Sequence, residues 1–78
     1  MSKTERITRL RWQCRRGMLE LDLILLDILA NIESMPDADM DTFEELLTFT
    51  DPELFAWFMG HESPPASIYH DFINTYSR

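Results

Sequence analysis

Signals that start and stop α-helices recur along this 78-residue chain, and alternating strand patterns do not. Ser2 followed by Glu5 has the spacing of a capping box, in which a hydroxyl and a carboxylate each satisfy a free backbone N–H. Thr50 and Glu53 repeat this spacing, with Pro52 in the first turn, where its missing N–H costs nothing. The sequence therefore predicts an all-α fold: one domain spanning the chain, built as a small bundle of about five short helices.

The first predicted helix covers about residues 3–15. Ile7, Leu10 and Cys14 form its inner stripe, because they recur at helical spacing. Gly17 is expected just beyond its end, since glycine tolerates the left-handed conformation common after a helix C-terminus. The helix is therefore predicted to stop where the chain changes from basic to acidic.

The second predicted helix is the most apolar segment and is expected to form the core. Its inner positions recur at helical spacing: Leu21, Ile24, Leu25, Ile28, Leu29 and Ile32. Leu19, Leu23 and Leu26 widen the apolar surface, which predicts contacts with several neighbouring elements. Glu20 and Asp22 suit the electropositive first turn of this helix.

The remaining helices are predicted from prolines, glycines and further capping signals. Residues 34–39 are expected to form a linker around a proline, followed by a third helix with Asp41 and Glu44 as a carboxylate variant of the capping box. The fourth helix would carry Trp57 in the core and stop at Gly60. Residues 63 and 64, Ser-Pro, can begin the fifth helix.

The charge of the chain is strongly divided along its length. Residues 1–16 hold six basic side chains and one acidic one, a charge of +5, whereas the rest holds one basic and thirteen acidic side chains, a charge of −12. The acidic majority would repel phosphates, so nonspecific nucleic-acid binding is not expected. The longest apolar stretch, residues 19–32, is interrupted by acids and shorter than the roughly 20 residues of a membrane span, so no membrane insertion is expected.

Catalytic and cofactor-binding patterns are missing from the sequence. Two glycines cannot build a phosphate loop or a dinucleotide fingerprint, so no stably bound cofactor is expected. His61 and His70 lack the spacing of a zinc site. Cys14, the only cysteine, lies on an apolar stripe where thiols are usually inert, and its solitary presence suits a reducing, cytoplasmic location. The chain is therefore predicted not to be an enzyme.

The basic-to-acidic junction is the strongest candidate for a site. Arg9, Trp12 and Arg16 are spaced three and four residues apart, which predicts one outward face on the first helix. Trp and Arg are enriched in binding hot spots, because Trp contributes contact area and a guanidinium can fork to a carboxylate or phosphate. The alternative is that the tryptophan packs against a neighbouring helix while the arginines face water or pair with the acids of the second helix. Spacing alone does not choose between them.

Residues 12–22, WQCRRGMLELD, resemble the signature of the SdhE family, small assembly factors called succinate dehydrogenase assembly factor 2 in mitochondria. The hallmark is RGxxE followed by an aspartate two residues later, and Arg16, Gly17, Glu20 and Asp22 match it position by position. The resemblance continues through a second stretch formed by Phe43, Leu46, Leu47, Asp51, Glu53, Leu54, Trp57 and Gly60.

The resemblance implies a chaperone that promotes covalent attachment of FAD to the flavoprotein subunit of succinate dehydrogenase and, as a second candidate, of fumarate reductase. In the family the bond forms within the partner, so no FAD would be held stably by this chain, which is expected to be a monomer. The implied and predicted partner-binding residues together are Arg9, Trp12, Arg16, Gly17, Met18, Glu20 and Asp22.

Two other functions are alternatives. Members of this family have also been labelled antitoxins, which would make the chain a regulatory protein of a toxin-antitoxin pair acting through protein-protein contacts. The acidity of the chain fits that role loosely, and no residue requires it. A nucleic-acid-binding module using the basic helix ranks third, because the acidic remainder would repel phosphates.

Overall fold

A computed structural model describes residues 2–77, and in this part of the chain all regular structure is helical. The five α-helices are α1 (Lys3–Gln13), α2 (Leu19–Leu29), α3 (Asp37–Leu46), α4 (Asp51–Phe58) and α5 (Ser67–Tyr76). A 3-10 turn, Ile32–Ser34, joins α2 to α3. Helix α3 packs against α5, and α2 packs against α4. The prediction of a small all-α bundle of about five short helices is confirmed.

The predicted caps are present at two helix starts. The Ser2 hydroxyl accepts a hydrogen bond from the Glu5 backbone N–H at 3.2 Å, which is the hydroxyl half of a capping box. At α4 both halves are formed, because the Thr50 hydroxyl accepts from the Glu53 N–H and the Glu53 carboxylate accepts from the Thr50 N–H. These caps satisfy backbone donors that would otherwise lack partners in the first turn.

The two glycines end or follow helices as predicted. Gly17 has φ +86° and Gly60 has φ +78°, and both lie in the left-handed region that side chains other than glycine rarely adopt. Helix α1 ends at Gln13, two residues earlier than predicted, because Cys14 is its C-cap and the Arg15 N–H donates to the Trp12 carbonyl at 3.1 Å. That i to i−3 bond tightens the last turn and leaves Arg15 outside the helix.

Three further predicted boundaries are wrong. Helix α2 stops at Leu29, and the buried Ile32 belongs to the 3-10 turn that follows. Helix α3 begins at Asp37 instead of near Asp41, because Pro36 is the N-cap and its carbonyl accepts from the N–H groups at the helix start. Helix α5 begins three residues later than predicted, since consecutive prolines at positions 64 and 65 disfavour helical backbone in the residues before them.

The core gathers apolar side chains from all the helices. Its largest fully buried members are Phe43, Leu10, Leu21, Leu25, Ile28, Ile32, Met40, Leu46 and Leu54. Trp57 is 7% exposed, which confirms its predicted place in the core. Leu19, Leu23 and Leu26, by contrast, remain 72%, 55% and 56% exposed, so the prediction that they contact several neighbours is wrong. Helix α2 buries one side only.

Candidate partner-binding site at the α1–α2 junction

The turn between α1 and α2 is held by a carboxylate from the first turn of α2. Asp22 accepts hydrogen bonds from the backbone N–H of Arg16 at 3.1 Å and of Gly17 at 3.4 Å. These bonds satisfy two donors in a segment that has no helical partners for them. Asp22 is half-buried and therefore acts mainly on the shape of the turn.

Gly17 lies exposed at the apex of this turn. A Cβ placed on it would meet no atom within 4 Å, so the left-handed backbone, and no steric clash within the fold, is what favours glycine here. The peptide surface at this position is consequently bare, and another molecule can approach the backbone closely.

The side chain of Arg16 is directed into the fold. Its Nη1 donates to the Leu47 carbonyl at 2.8 Å and its Nη2 donates to the Phe49 carbonyl at 2.6 Å. Its Nε forms an ion pair with Asp51, the first residue of α4. With a side chain only 17% exposed, Arg16 joins the α1–α2 turn to the segment between α3 and α4.

The prediction that Arg9, Trp12 and Arg16 share one outward helical face is therefore wrong for Arg16. The helix ends before residue 16, so helical spacing no longer applies there. The alternative fails as well: Trp12 is 68% exposed, and the guanidinium of Arg16 pairs with Asp51 instead of an acid of α2. Asp51 was recognised only as part of the resemblance, and no local sequence signal reveals this long-range ion pair.

The outward surface of α1 carries a different pair of residues. The Arg15 guanidinium carbon lies 5.2 Å from the centre of the Trp12 ring, a cation-π arrangement. Together with Thr8 and Arg11 these side chains line a shallow cleft. The closeness of Arg11, Trp12 and Arg15 in the sequence is the local signal for this cluster, because Arg15 lies beyond the end of α1 and helical spacing does not extend to it.

Arg9 lies on α1 and pairs with a carboxylate of α3. Its Nη2 lies 3.2 Å from Glu44 Oε1, and its side chain is 47% exposed. The same carboxylate oxygen accepts from Arg6 Nε at 3.1 Å, and Arg6 also pairs with Asp41, a hydrogen bond that raises the pKa of Arg6. Asp41 and Glu44, predicted to cap α3, therefore join α1 to α3 instead.

The first residues of α2 complete the site. Met18 is the N-cap and packs partly buried against the core, whereas Leu19 and Glu20 are exposed. Glu20 forms no ion pair within residues 2–77. We call the exposed residues Trp12, Arg15, Gly17, Leu19 and Glu20 the junction surface. It offers a ring, a cation, bare backbone, an apolar side chain and a carboxylate.

Chemical reactivity is low at the one nucleophile near this site. Cys14 is buried, and burial raises the pKa of its thiol to about 12, so it is protonated at neutral pH. Across residues 2–77 there is no grouping of three or more His, Cys, Asp or Glu side chains suited to a metal ion. None of the helices described here has the length and apolar character needed to cross a membrane.

The described residues form a small helical bundle whose exposed turn is held by internal hydrogen bonds and carries aromatic and charged side chains of the kinds enriched in protein-binding surfaces. The Sdh5 family, described as "Flavinator of succinate dehydrogenase", matches residues 8–75. Relatives called FAD assembly factor SdhE are 53% identical over 62 residues in Legionella pneumophila strain Lens, covering 78% of each chain, and 53% identical over 60 residues in Shewanella oneidensis, covering 76% of this chain and 73% of that one.

A third such relative, from Colwellia psychrerythraea, is 56% identical over 55 residues, covering 69% of this chain and 60% of its own. No solved structure matches the chain. The chain belongs to the family of succinate dehydrogenase flavinators, which confirms the resemblance that the RGMLELD stretch indicated. The comparisons give no support to the antitoxin alternative.

Proposed function

We propose that this chain is a FAD assembly factor that promotes covalent attachment of FAD to the flavoprotein subunit of succinate dehydrogenase. Membership of the family supports this activity, and the hydrogen-bonded turn between α1 and α2 supports the location of the partner-binding site. The main observation in favour of this site is that the residues of RGMLELD have two different roles. Arg16 and Asp22 fix the turn through hydrogen bonds, while Gly17 and Glu20 are exposed on it.

The mechanism that fits this arrangement is positioning without chemistry. Attachment of a flavin requires its ring and the acceptor side chain of the flavoprotein to be held in a reactive arrangement, and a bound helper can favour that arrangement. The junction is preorganised by the Asp22 and Arg16 contacts, which lowers the entropy cost of binding. The bare backbone of Gly17 permits close approach, and Glu20 can accept hydrogen bonds from the partner.

The chain acts as a chaperone and not as an enzyme, holds no FAD stably, and works as a monomer in the cytoplasm. Its partner-binding residues are Trp12, Gly17, Met18 and Glu20 by contact, with Arg16 and Asp22 acting as positioning residues and Arg9 beside them. The flavoprotein of fumarate reductase is a second candidate partner. Nucleic acid and membrane are not proposed as partners.

Gly17→Leu and Glu20→Ala test the site through flavin attachment. In a strain lacking this chain, each variant is expressed, and covalent flavin on the succinate dehydrogenase flavoprotein is read as in-gel fluorescence. Both variants are expected to fold and to fail to raise fluorescence, because they block close approach or remove an exposed acceptor. Gly60→Leu is the matched control, since Gly60 has a similar left-handed backbone with open space around it and lines a separate cleft formed by residues between 57 and 77.

The control separates loss of binding from backbone strain. Gly60→Leu is expected to restore fluorescence to the wild-type level despite the same conformational cost. If Gly17→Leu and Glu20→Ala restore it equally well, the junction is not the site and the assignment fails. If wild-type chain does not raise fluorescence at all, the proposed activity fails with it.

A further inference from the structure

The basic side chains of the N-terminal segment are neutralised unevenly by the fold. Arg6, Arg9 and Arg16 each pair with a carboxylate from α3 or α4. Arg11 and Arg15 pair with no carboxylate within residues 2–77, although the chain carries fourteen acidic residues and a net charge of −7. Lys3 pairs with no carboxylate there either, but it donates a hydrogen bond to the Glu33 carbonyl, so Arg11 and Arg15 are the two exposed cations of this segment with neither kind of partner among residues 2–77.

These two arginines flank an exposed aromatic ring. Arg11 lies in the last turn of α1 and Arg15 lies just beyond its end, and both line the shallow cleft that Trp12 and Thr8 complete. The Arg15 guanidinium is 5.2 Å from the Trp12 ring centre, so its conformation is restrained before any partner binds. A restrained guanidinium loses less side-chain entropy when it forks to a carboxylate.

We propose that Arg11, Trp12 and Arg15 form a docking surface that binds a carboxylate-bearing surface of the flavoprotein partner, a proposal that rests on the proposed function. Fork-shaped pairing with carboxylates suits the arginines, and the Trp12 ring supplies the apolar contact area typical of a hot spot. Arg15 lies two residues from Gly17, so one partner can cover this surface and the bare turn together.

Charge and interface size favour the flavoprotein as the partner at this surface over nucleic acid and over a second copy of the chain. The −12 charge of residues 17–78 repels the phosphates of nucleic acid, which would have to lie close to Glu20 and its acidic neighbours. A second copy of the chain would need about 800 Å² from each partner for a stable interface, which is far more than three side chains supply. A partner already held at the junction needs only this additional contact.

The experiment measures the dissociation constant between this chain and the purified succinate dehydrogenase flavoprotein subunit over a range of salt concentrations. Arg15→Gln and the double variant Arg11→Gln/Arg15→Gln are compared with Lys3→Gln, which removes one positive charge, as Arg15→Gln does, from the first residue of α1. The Lys3 ammonium contacts only the Glu33 carbonyl among residues 2–77, at 2.6 Å, so it is a matched control for net charge. Thermal melts verify that all variants fold.

The double variant is expected to bind at least about tenfold more weakly at low salt, and with a shallower salt dependence than wild type, because complementary charges raise association rates. Lys3→Gln is expected to keep both wild-type values. Arg15→Gln, which has the same net charge as Lys3→Gln, is expected to bind more weakly than Lys3→Gln, and equal weakening by these two single variants would overturn the proposal in favour of a net-charge effect.

Two further results separate this proposal from the function on which it rests. Wild-type affinity and salt dependence in the double variant, together with lost binding in Gly17→Leu, would overturn the docking surface and leave the proposed function intact. Wild-type chain that neither binds the flavoprotein nor raises its covalent flavin would overturn both. Salt-sensitive self-association that disappears in the double variant would assign the surface to a second copy of this chain.

Discussion

Arg15 and Arg16 are consecutive and chemically identical, yet the fold uses them in opposite ways. Arg16 makes hydrogen bonds to Leu47 and Phe49 and an ion pair with Asp51, whereas Arg15 stays exposed over the Trp12 ring. The residue within RGxxE is therefore the internal one, and its neighbour outside the motif is the one that a partner can reach. A residue of a sequence motif can thus act by fixing the shape of a turn, without itself being exposed to a partner.

The same division separates the two tryptophans. Trp57 lies in the core with its ring 4.8 Å from that of Phe49, the residue whose carbonyl accepts from Arg16. Trp12 lies on the outer side with most of its surface in water. The inner side of the junction is thus continuous with the core, and the outer side is continuous with solvent.

The largest expected effect on folding stability is at Trp57, the buried tryptophan. Trp57→Ala should lower the free energy of unfolding by about 3–5 kcal/mol, because it removes a buried aromatic side chain and leaves a cavity. Trp12→Ala should change it by no more than about 0.5 kcal/mol beyond the lost cation-π contact. Chemical denaturation of both variants measures the difference, and equal destabilisation would show that Trp12 is also structural.

The second prediction compares the two arginines directly. Arg16→Ala should cost about 2–3 kcal/mol of folding stability, because it leaves Asp51 and two backbone carbonyls without a charged donor. Arg15→Ala should cost no more than about 0.5 kcal/mol, since exposed residues away from such networks rarely matter to folding. Thermal and denaturant unfolding provide both values. A large loss of stability in Arg15→Ala would contradict the conclusion that Arg16 is structural and Arg15 is not.

The sequence predicts the parts of this arrangement that depend on local chemistry. The Thr50–Glu53 box and the left-handed Gly17 depend on residues close in the chain, and both predictions are confirmed. The start of α3 was missed because Pro36 can act as a cap as well as a break. In each case the outcome depends on a few neighbouring dihedral angles.

Long-range pairing could not be predicted from spacing. Arg16 was placed on an outward face because the helix was expected to continue to residue 15, whereas its partners lie more than 30 residues away. Asp41 and Glu44 had a local explanation as caps, but the fold brings them to Arg6. Charged side chains can satisfy several local patterns, and tertiary packing selects among them.

The third prediction concerns the glycine between the inner and outer sides. Gly17→Leu should destabilise the fold by about 1 kcal/mol, because the left-handed backbone is strained for a branched side chain while no neighbouring atom obstructs it. Gly60→Leu should cost a similar amount for the same reason. Unfolding curves of the two variants test this, and a much larger loss at Gly17 would mean that the role proposed for it in flavin attachment cannot be separated from folding.

The smallest expected effect is a loss of folding stability at alkaline pH, caused by the Cys14 thiol beside the junction and the Tyr76 hydroxyl between α5 and α3. Burial raises the pKa of Cys14 from 9.0 to about 12, and burial with a hydrogen bond to Asp39 raises that of Tyr76 from 10.0 to about 12. Both groups are neutral when protonated, so the fold retains their protons while the unfolded chain releases them. The associated stability is fully present below pH 9 and is lost progressively between pH 9 and pH 12.

Melting temperatures at pH 8 and pH 9.5 measure this loss, which should be small because at pH 9.5 the unfolded chain gains little from ionisation. Cys14→Ala is the informative variant, because it removes the group that ionises first. Its absolute stability will be lower from the small cavity, but its melting temperature should fall less between the two pH values than that of the wild type. An equal fall in both proteins would mean that burial does not protect the Cys14 thiol from ionisation in the folded protein.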